Sequence, residues 1–177
     1  MVDEMIVEAW NLEDIDAVFA EIIDKYGQDI LKLVCSYVNN KALAEDLTQD
    51  IFVKCYKALP AYKQQSSVKT WLWRIAINHC KDYLKSWYNK NVVEMQNEGA
   101  FCSNGEMVEG AIIQQEEEAQ LAAAVMKLPI KYREVIYFYY YEELTIKEIS
   151  AVINVNENTI KTRMKKAKAL LKKEWRD

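Results

Sequence analysis

The chain has 177 residues, 51% of them hydrophobic, and contains only 4 glycines and 2 prolines. This composition allows a buried core and favours helices over a sheet. No apolar run approaches the roughly 18 residues of a membrane span, and the acidic first residues argue against a signal peptide. The four cysteines show no paired spacing, which indicates a reducing environment, so we expect a cytoplasmic protein.

The net charge of −4 conceals an alternation of charge along the chain. The net charge is −9 over residues 1–50, +7 over 51–90, −7 over 91–126 and +5 over 127–177. Because charges are screened beyond about 10 Å at ordinary salt, an acidic protein can still carry two faces that contact nucleic acid. The same blocks are equally compatible with ordinary solvated helix faces.

In chain order, apolar residues at helical spacing first predict an N-terminal unit of four helices. Gly27 is expected to separate the first helix from the second, and Pro60 to end the third. The predicted extents of the first three helices are 12–26, 30–38 and 41–59. The fourth helix follows a polar loop, residues 62–67, and carries apolar residues as far as Leu84.

Beyond residue 88 the periodicity is lost, and no basic residue lies between Lys90 and Lys127, which predicts an acidic linker. A second helical unit follows and ends in two short helices. The first of these begins with a capping-box sequence, Thr145 to Glu148, and a tight turn at residues 154–156 leads to the second. The second helix has an apolar inner stripe and a basic outer face. This pattern predicts a helix-turn-helix, and the alternative is a helical hairpin with a solvated lysine face.

Aromatic and basic residues alternate through the polar loop and the fourth helix. The group consists of Tyr62, Trp71, Trp73, Tyr83, Trp87 and Tyr88, with Lys57, Lys63, Lys69, Arg74, Lys81 and Lys85. Aromatic rings stack on unpaired bases while cations follow the phosphates, so this mixture favours single-stranded DNA as a ligand. The alternative, that these rings belong to the core, is equally compatible with the pattern.

The third helix carries an acidic group. Asp46, Gln49 and Asp50 have i, i+3 and i+4 spacing, so they share one face of the helix. The pattern allows either a solvated face or a surface that docks a basic partner.

Signals of an enzyme are missing from the sequence. His79 is the single histidine, so a zinc site of cysteine and histidine is not expected. Its neighbour Cys80 would project in a different direction from the same helix, so the two are not expected to form a site. With 4 glycines there is no glycine-rich phosphate loop. We therefore expect no catalytic residues, no metal and no cofactor.

Three segments resemble the extracytoplasmic-function family of bacterial sigma factors, in the order and spacing of that family. They are Ala44–Phe52, Thr70–Asn78 and Leu128–Val135, the last followed by the helix-turn-helix. The resemblance covers about 15–87 and 116–175. It implies an all-α chain with a region 2 domain at 12–88, a linker at 89–115 and a region 4 domain at 116–177. Such a protein binds core RNA polymerase and directs it to promoters.

The resemblance also implies roles for individual residues. Those expected to dock on the coiled coil of the polymerase's largest subunit are Asp46, Gln49 and Asp50. Those expected at the −10 element are Tyr62, Ile75 and Asn78 around a flipped base, Trp71 as a wedge, and Lys63. Those expected at the −35 element are Lys161, Thr162, Arg163, Lys165 and Lys166. The partners implied are core polymerase, promoter DNA and an anti-sigma factor, which in this family is often membrane-bound.

Two other functions fit parts of the sequence. A stand-alone helix-turn-helix repressor would bind duplex DNA as a dimer, but it has no need of aromatic residues that stack on single strands. A helical adaptor would use only the acidic face and would bind no DNA.

Overall fold

A computed structural model of the protein describes residues 14–94 and 114–174, and the regular structure in both ranges is helical. The helices are α1 Ile15–Val38, α2 Lys41–Ala58, α3 Val68–Glu94, α4 Gln114–Lys127, α5 Ile130–Ile136, α6 Ile146–Ile153 and α7 Glu157–Glu174. A 3₁₀ turn, Leu59–Ala61, follows α2, and a π-helical turn, Tyr137–Tyr141, continues α5. The chain divides into two compact units, the first containing α1–α3 and the second α4–α7. The predicted all-α class with two helical units is confirmed.

The first helix differs from its prediction, because Gly27 lies inside α1 and does not end it. Core residues continue at helical spacing on both sides of Gly27: Ile22, Tyr26, Ile30, Leu33, Val34 and Tyr37 are buried. Burial of this continuous stripe outweighs the roughly 1 kcal/mol that a glycine costs in a helix interior. The helix begins at Asp14, whose side chain accepts a hydrogen bond from the Ala17 amide, and ends at Asn39 in the left-handed conformation.

The core of the first unit is formed where α1, α2 and α3 pack against one another. Its fully buried side chains include Ile22, Leu33, Ile51, Leu72 and Ile77. Helix α3 continues to Glu94, so the first residues of the predicted linker are helical. The rest of that linker up to residue 113 lies outside the described residues.

The second unit contains the predicted helix-turn-helix. Helix α6 begins with the capping box: the Glu148 amide donates to Thr145 Oγ1 at 3.3 Å, and the Thr145 amide donates to Glu148 Oε2 at 2.8 Å. Asn154 ends α6 in the left-handed conformation, with φ of 54°, and the chain turns directly into α7. The core of this unit includes Phe138, Ile149 of α6 and Ile160 of α7, all fully buried. No helix within the two described ranges is long and apolar enough to cross a bilayer.

Candidate nucleic-acid interface

The residues predicted to contact the −10 element lie at the beginning of α3 and in the loop before it. Trp71, Ile75 and Asn78 follow one another at helical spacing along one side of α3, and each is at least partly exposed. The loop brings the Tyr62 ring to 4.8 Å from the Trp71 ring, centroid to centroid. The Tyr62 hydroxyl donates to the Ser66 carbonyl, which fixes the ring against the loop.

Lys63 lies beside Tyr62 in the loop and is exposed. Helix α3 begins at this point because Ser67 Oγ accepts a hydrogen bond from the Thr70 amide at 3.1 Å. The structure therefore joins an aromatic pair, an apolar side chain and an amide on one accessible surface, with a lysine next to it.

The other aromatic residues of the group have different positions. Trp73 is only 3% exposed and belongs to the core, with Lys69 Nζ 4.6 Å from the centre of its ring. This contradicts the interpretation of Trp73 as a stacking residue. Residues two positions apart lie on different sides of a helix, so Trp71 and Trp73 cannot both face DNA. Trp87 and Tyr88 are exposed towards the end of α3.

The three residues of the acidic group are all exposed on α2, as their spacing predicts. Asp50 approaches α3, with its Oδ2 3.7 Å from Nε2 of His79, which is longer than a hydrogen bond. Lys54 Nζ lies 2.8 Å from Nδ1 of the same ring. Burial, and next the charge of Lys54, lower the pKa of His79 below its ordinary value. A neutral ring accepts from Lys54 at Nδ1 and directs its Nε2 proton towards Asp50.

An open apolar groove of about 710 Å³ lies between α1 and α2, next to the acidic group. Its apolar walls include Phe19, Ile23, Leu31, Phe52, Val53 and Tyr56, and Gln49 lies at its edge. This groove was not predicted from the sequence. The signal in the sequence was Val53, an apolar residue outside the apolar stripe predicted for its helix. In the structure both Ile23 and Val53 are exposed.

The exposed face of α7 carries four of the five residues predicted to contact the −35 element. They are Lys161, Thr162, Lys165 and Lys166. Ile160, Met164 and Ala167 are buried on the opposite side. Arg163 is placed differently, because its guanidinium is 3.0 Å from the carboxylate of Glu134, a residue that is 3% exposed.

The remaining reactive groups offer little chemistry. Burial raises the pKa of Cys55 and of Cys80 to about 12, so neither thiol is ionised near neutral pH. Among the side chains that the structure describes, in residues 14–88 and 120–174, no three of histidine, cysteine, aspartate or glutamate are grouped as ligands of a metal ion.

These features define a helical DNA-binding protein with two units, one of which ends in a helix-turn-helix. The sequence profile of sigma-70 region 2 matches residues 22–88, and that of sigma-70 region 4 matches residues 118–171. The chain belongs to the extracytoplasmic-function family of RNA polymerase sigma factors and directs transcription initiation. Membership of this family supports a non-catalytic regulator.

Two curated relatives come from Bacillus subtilis. The chain is 30% identical over 167 residues to the ECF RNA polymerase sigma factor SigW, covering 90% of this chain and 89% of that protein. It is 32% identical over 152 residues to the ECF RNA polymerase sigma factor SigM, covering 86% and 91%.

Two solved structures share the fold. The sigma factor RpoE of Bartonella quintana, in complex with the anti-sigma factor NepR, has a TM-score of 0.73 and 18% identity, over 89% of this chain and 96% of that chain. The protein CnrH, in complex with the cytosolic domain of CnrY, has a TM-score of 0.63 and 20% identity, over 96% and 92%.

Proposed function

We propose that this sigma factor uses three separate surfaces in transcription initiation, one to bind core polymerase, one to bind the −10 element and one to bind the −35 element. The first unit, over residues 12–88, docks on core polymerase through α2 and holds the opened −10 element at α3. The second unit, over residues 116–177, binds the −35 duplex through α7. The observation that carries the proposal is the placement of Tyr62, Trp71, Ile75 and Asn78 on one accessible surface beside the core-docking helix.

The chemistry of the −10 surface suits an unpaired base. The Tyr62 ring offers a stacking face, Ile75 an apolar wall, and the Asn78 amide both a donor and an acceptor for a base edge. Trp71, in contact with Tyr62, is placed to wedge between base pairs. Lys63 supplies a charge for the phosphates of the displaced strand.

The −35 surface suits duplex DNA. Lysines dominate the exposed face of α7. The Thr162 hydroxyl donates to the Asn158 carbonyl, with 2.9 Å between the two oxygens, so the hydroxyl oxygen remains available as an acceptor. A helix of this kind in the major groove contacts phosphates with its lysines and base edges with its short polar side chains.

The docking surface comprises Asp46, Gln49 and Asp50, and a basic coiled coil is its natural partner because all three side chains are exposed and two are anionic. The apolar groove beside Gln49 offers additional area for the same partner.

We also propose that an anti-sigma factor holds this chain inactive. Support comes from the two solved structures of similar fold, one of a sigma factor with the anti-sigma factor NepR and one of CnrH with CnrY. A membrane-bound partner of this kind fits a sigma factor that works in the cytoplasm, where core polymerase and promoter DNA are found.

Reconstitution with purified core polymerase tests the proposal. Transcripts made from genomic DNA by core enzyme plus this chain would first be sequenced to identify a promoter. We expect transcription from that promoter only when both components are present, and opening of its −10 region, followed by a fluorescent base analogue in the non-template strand. Tight palindromic binding by the chain alone, without any effect of core enzyme, would favour the repressor instead.

A further inference from the structure

A buried ion pair joins α5 to the recognition helix α7. Nη1 of Arg163 is 3.0 Å from Oε1 of Glu134, and the two side chains are 23% and 2% exposed. Among residues 14–88 and 120–174, for which burial is described, Glu134 is the sole charged residue that is buried. Its neighbour Arg133 donates hydrogen bonds to the carbonyls of Met126 and Leu128, so the same turn of α5 also holds the end of α4.

Stability alone does not account for this pair. Removing two charges from water costs several kcal/mol for each ion, and apolar residues of similar volume often stabilise a fold equally well. The contact between Nη1 and Oε1 is instead directional, because a charge-assisted hydrogen bond depends on its angle, whereas apolar contacts have no preferred direction. Such a contact between α5 and α7 limits how far α7 can rotate about its axis without breaking it.

Rotation matters at this helix because of where Arg163 lies. It stands between the buried stripe of α7, which includes Met164, and the exposed face that begins with Thr162. A side-chain end about 5–6 Å from the helix axis moves by about 2 Å when the helix rotates by about 20°. Hydrogen bonds tolerate a change of only about 0.5 Å in length, so such a rotation would break contacts to base edges.

Two contacts that are weaker than the ion pair hold the part of α7 that follows Arg163. Lys168 Nζ lies 5.7 Å from the centre of the Tyr139 ring and 5.5 Å from that of Tyr140. Near its end, Glu174 pairs with Lys127 at 3.3 Å. Both contacts are at exposed positions, where such interactions contribute little. The Glu134 pair is the strong polar tie, and it lies in the half of α7 that would enter the groove.

We propose that Glu134 is a positioning residue for −35 recognition: through Arg163 it sets the rotation of α7 and so selects the bases that Lys161 and Thr162 reach. This inference rests on the proposed role of α7. It also gives Arg163 a role different from the DNA contact expected from the sequence, since its guanidinium is engaged by Glu134.

The test compares full-length variants assembled with core polymerase. Glu134→Gln removes one charge, the double variant Glu134→Leu with Arg163→Met replaces the pair by apolar side chains, and Glu174→Gln is the matched control on the same helix. The probe is a pool of duplex DNA randomised over the −35 region, from which bound molecules are sequenced. Thermal unfolding and the dependence of binding on salt are measured for each variant.

We expect Glu134→Gln to lower the preference for the selected −35 sequence about tenfold, equivalent to about 1.4 kcal/mol, which is within the range for losing one base contact. The double variant should unfold at the temperature of the wild type or above it, yet still lack the preference. The control should keep it. The slope of log affinity against log salt should stay unchanged in all three.

Each contrary result has a distinct meaning. If the double variant recovers the preference, the pair serves stability only and the inference is wrong. If the double variant lowers the salt slope by about 0.9, Arg163 contacts a phosphate directly, and the inference is again wrong. If the wild-type protein itself selects no −35 sequence, the proposed role of α7 is wrong, and the inference about Glu134, which rests on it, is wrong as well. A double variant that fails to fold, or a control that loses the preference, would equally overturn the inference.

Discussion

Replacing Asp46 and Asp50 together by arginine is expected to weaken binding to core polymerase about a thousandfold while leaving the fold intact. Both side chains are exposed on α2, and the side chain of Asp50 is 67% exposed. The contact that Asp50 gives up is the one with His79, at 3.7 Å. At such positions substitutions usually change stability by no more than about 0.5 kcal/mol, so the helix and the core beneath it should persist.

The size of the effect follows from the exposure of the two charges. In water, two unit charges 4 Å apart attract by about 1 kcal/mol. Changing an aspartate to an arginine replaces attraction by repulsion, which amounts to about 2 kcal/mol per site and about 4 kcal/mol for both. The dissociation constant should therefore rise about a thousandfold, and the difference should shrink as salt screens the charges.

The assay is fluorescence anisotropy of the labelled chain titrated with core polymerase, together with thermal unfolding of the free protein. Glu21 and Asp24 provide a matched control, because they are exposed on α1 and their replacement by arginine changes the net charge equally. Unchanged core affinity in the Asp46 and Asp50 variant would show that this face is only solvated. An equal loss in the control would show an effect of overall charge rather than of a docking surface.

Three further outcomes are expected. Lys161→Ala and Lys166→Ala should each weaken binding of −35 duplex and lower the slope of log affinity against log salt by about 0.9, and an unchanged slope would exclude phosphate contacts. Tyr62→Ala and Asn78→Ala should leave core binding unaltered but reduce opening of the −10 element, reported by a base analogue, by about 1–3 kcal/mol; unfolding of the Tyr62 variant would identify that ring as core. Gly27→Ala should raise the free energy of unfolding by about 0.4–1 kcal/mol, because the added methyl group fits within α1, and a lower midpoint in denaturant would contradict this.

Local signals predicted the helix-turn-helix well. The capping box depends on two residues three positions apart, Thr145 and Glu148, and needs no tertiary information. Gly27 shows the opposite case. The tendency of glycine to interrupt a helix is a local property. The burial of residues on both sides of Gly27 is a tertiary effect, and it cannot be predicted from the glycine alone.

Side-chain roles that depend on distant parts of the chain were harder to predict. Trp71 and Trp73 are both tryptophans among basic residues of the same helix, so the sequence alone does not distinguish them. The packing of α3 on α1 and α2 determines which ring is buried. The partner of Arg163 is Glu134 on another helix. The sequence shows only that Arg163 lies among lysines, so it predicts a DNA contact for Arg163 as it does for them. The apolar groove requires two helices, and periodicity within one helix cannot reveal it.

The first unit also suggests why an acidic docking face and a DNA-binding face occur together in one small domain. Helices α2 and α3 pack directly against each other, and the contacts of His79 with Asp50 and Lys54 join them at the surface. Asn78 is the residue next to His79, so under the proposed function a partner bound to α2 is expected also to fix the position of the −10 surface. Closely packed helices transmit position without needing a conformational change. The proposed docking residues on α2 and the proposed −10 residues on α3 therefore lie on neighbouring helices that share one core, and we expect polymerase bound at α2 to hold the −10 surface in position on the DNA.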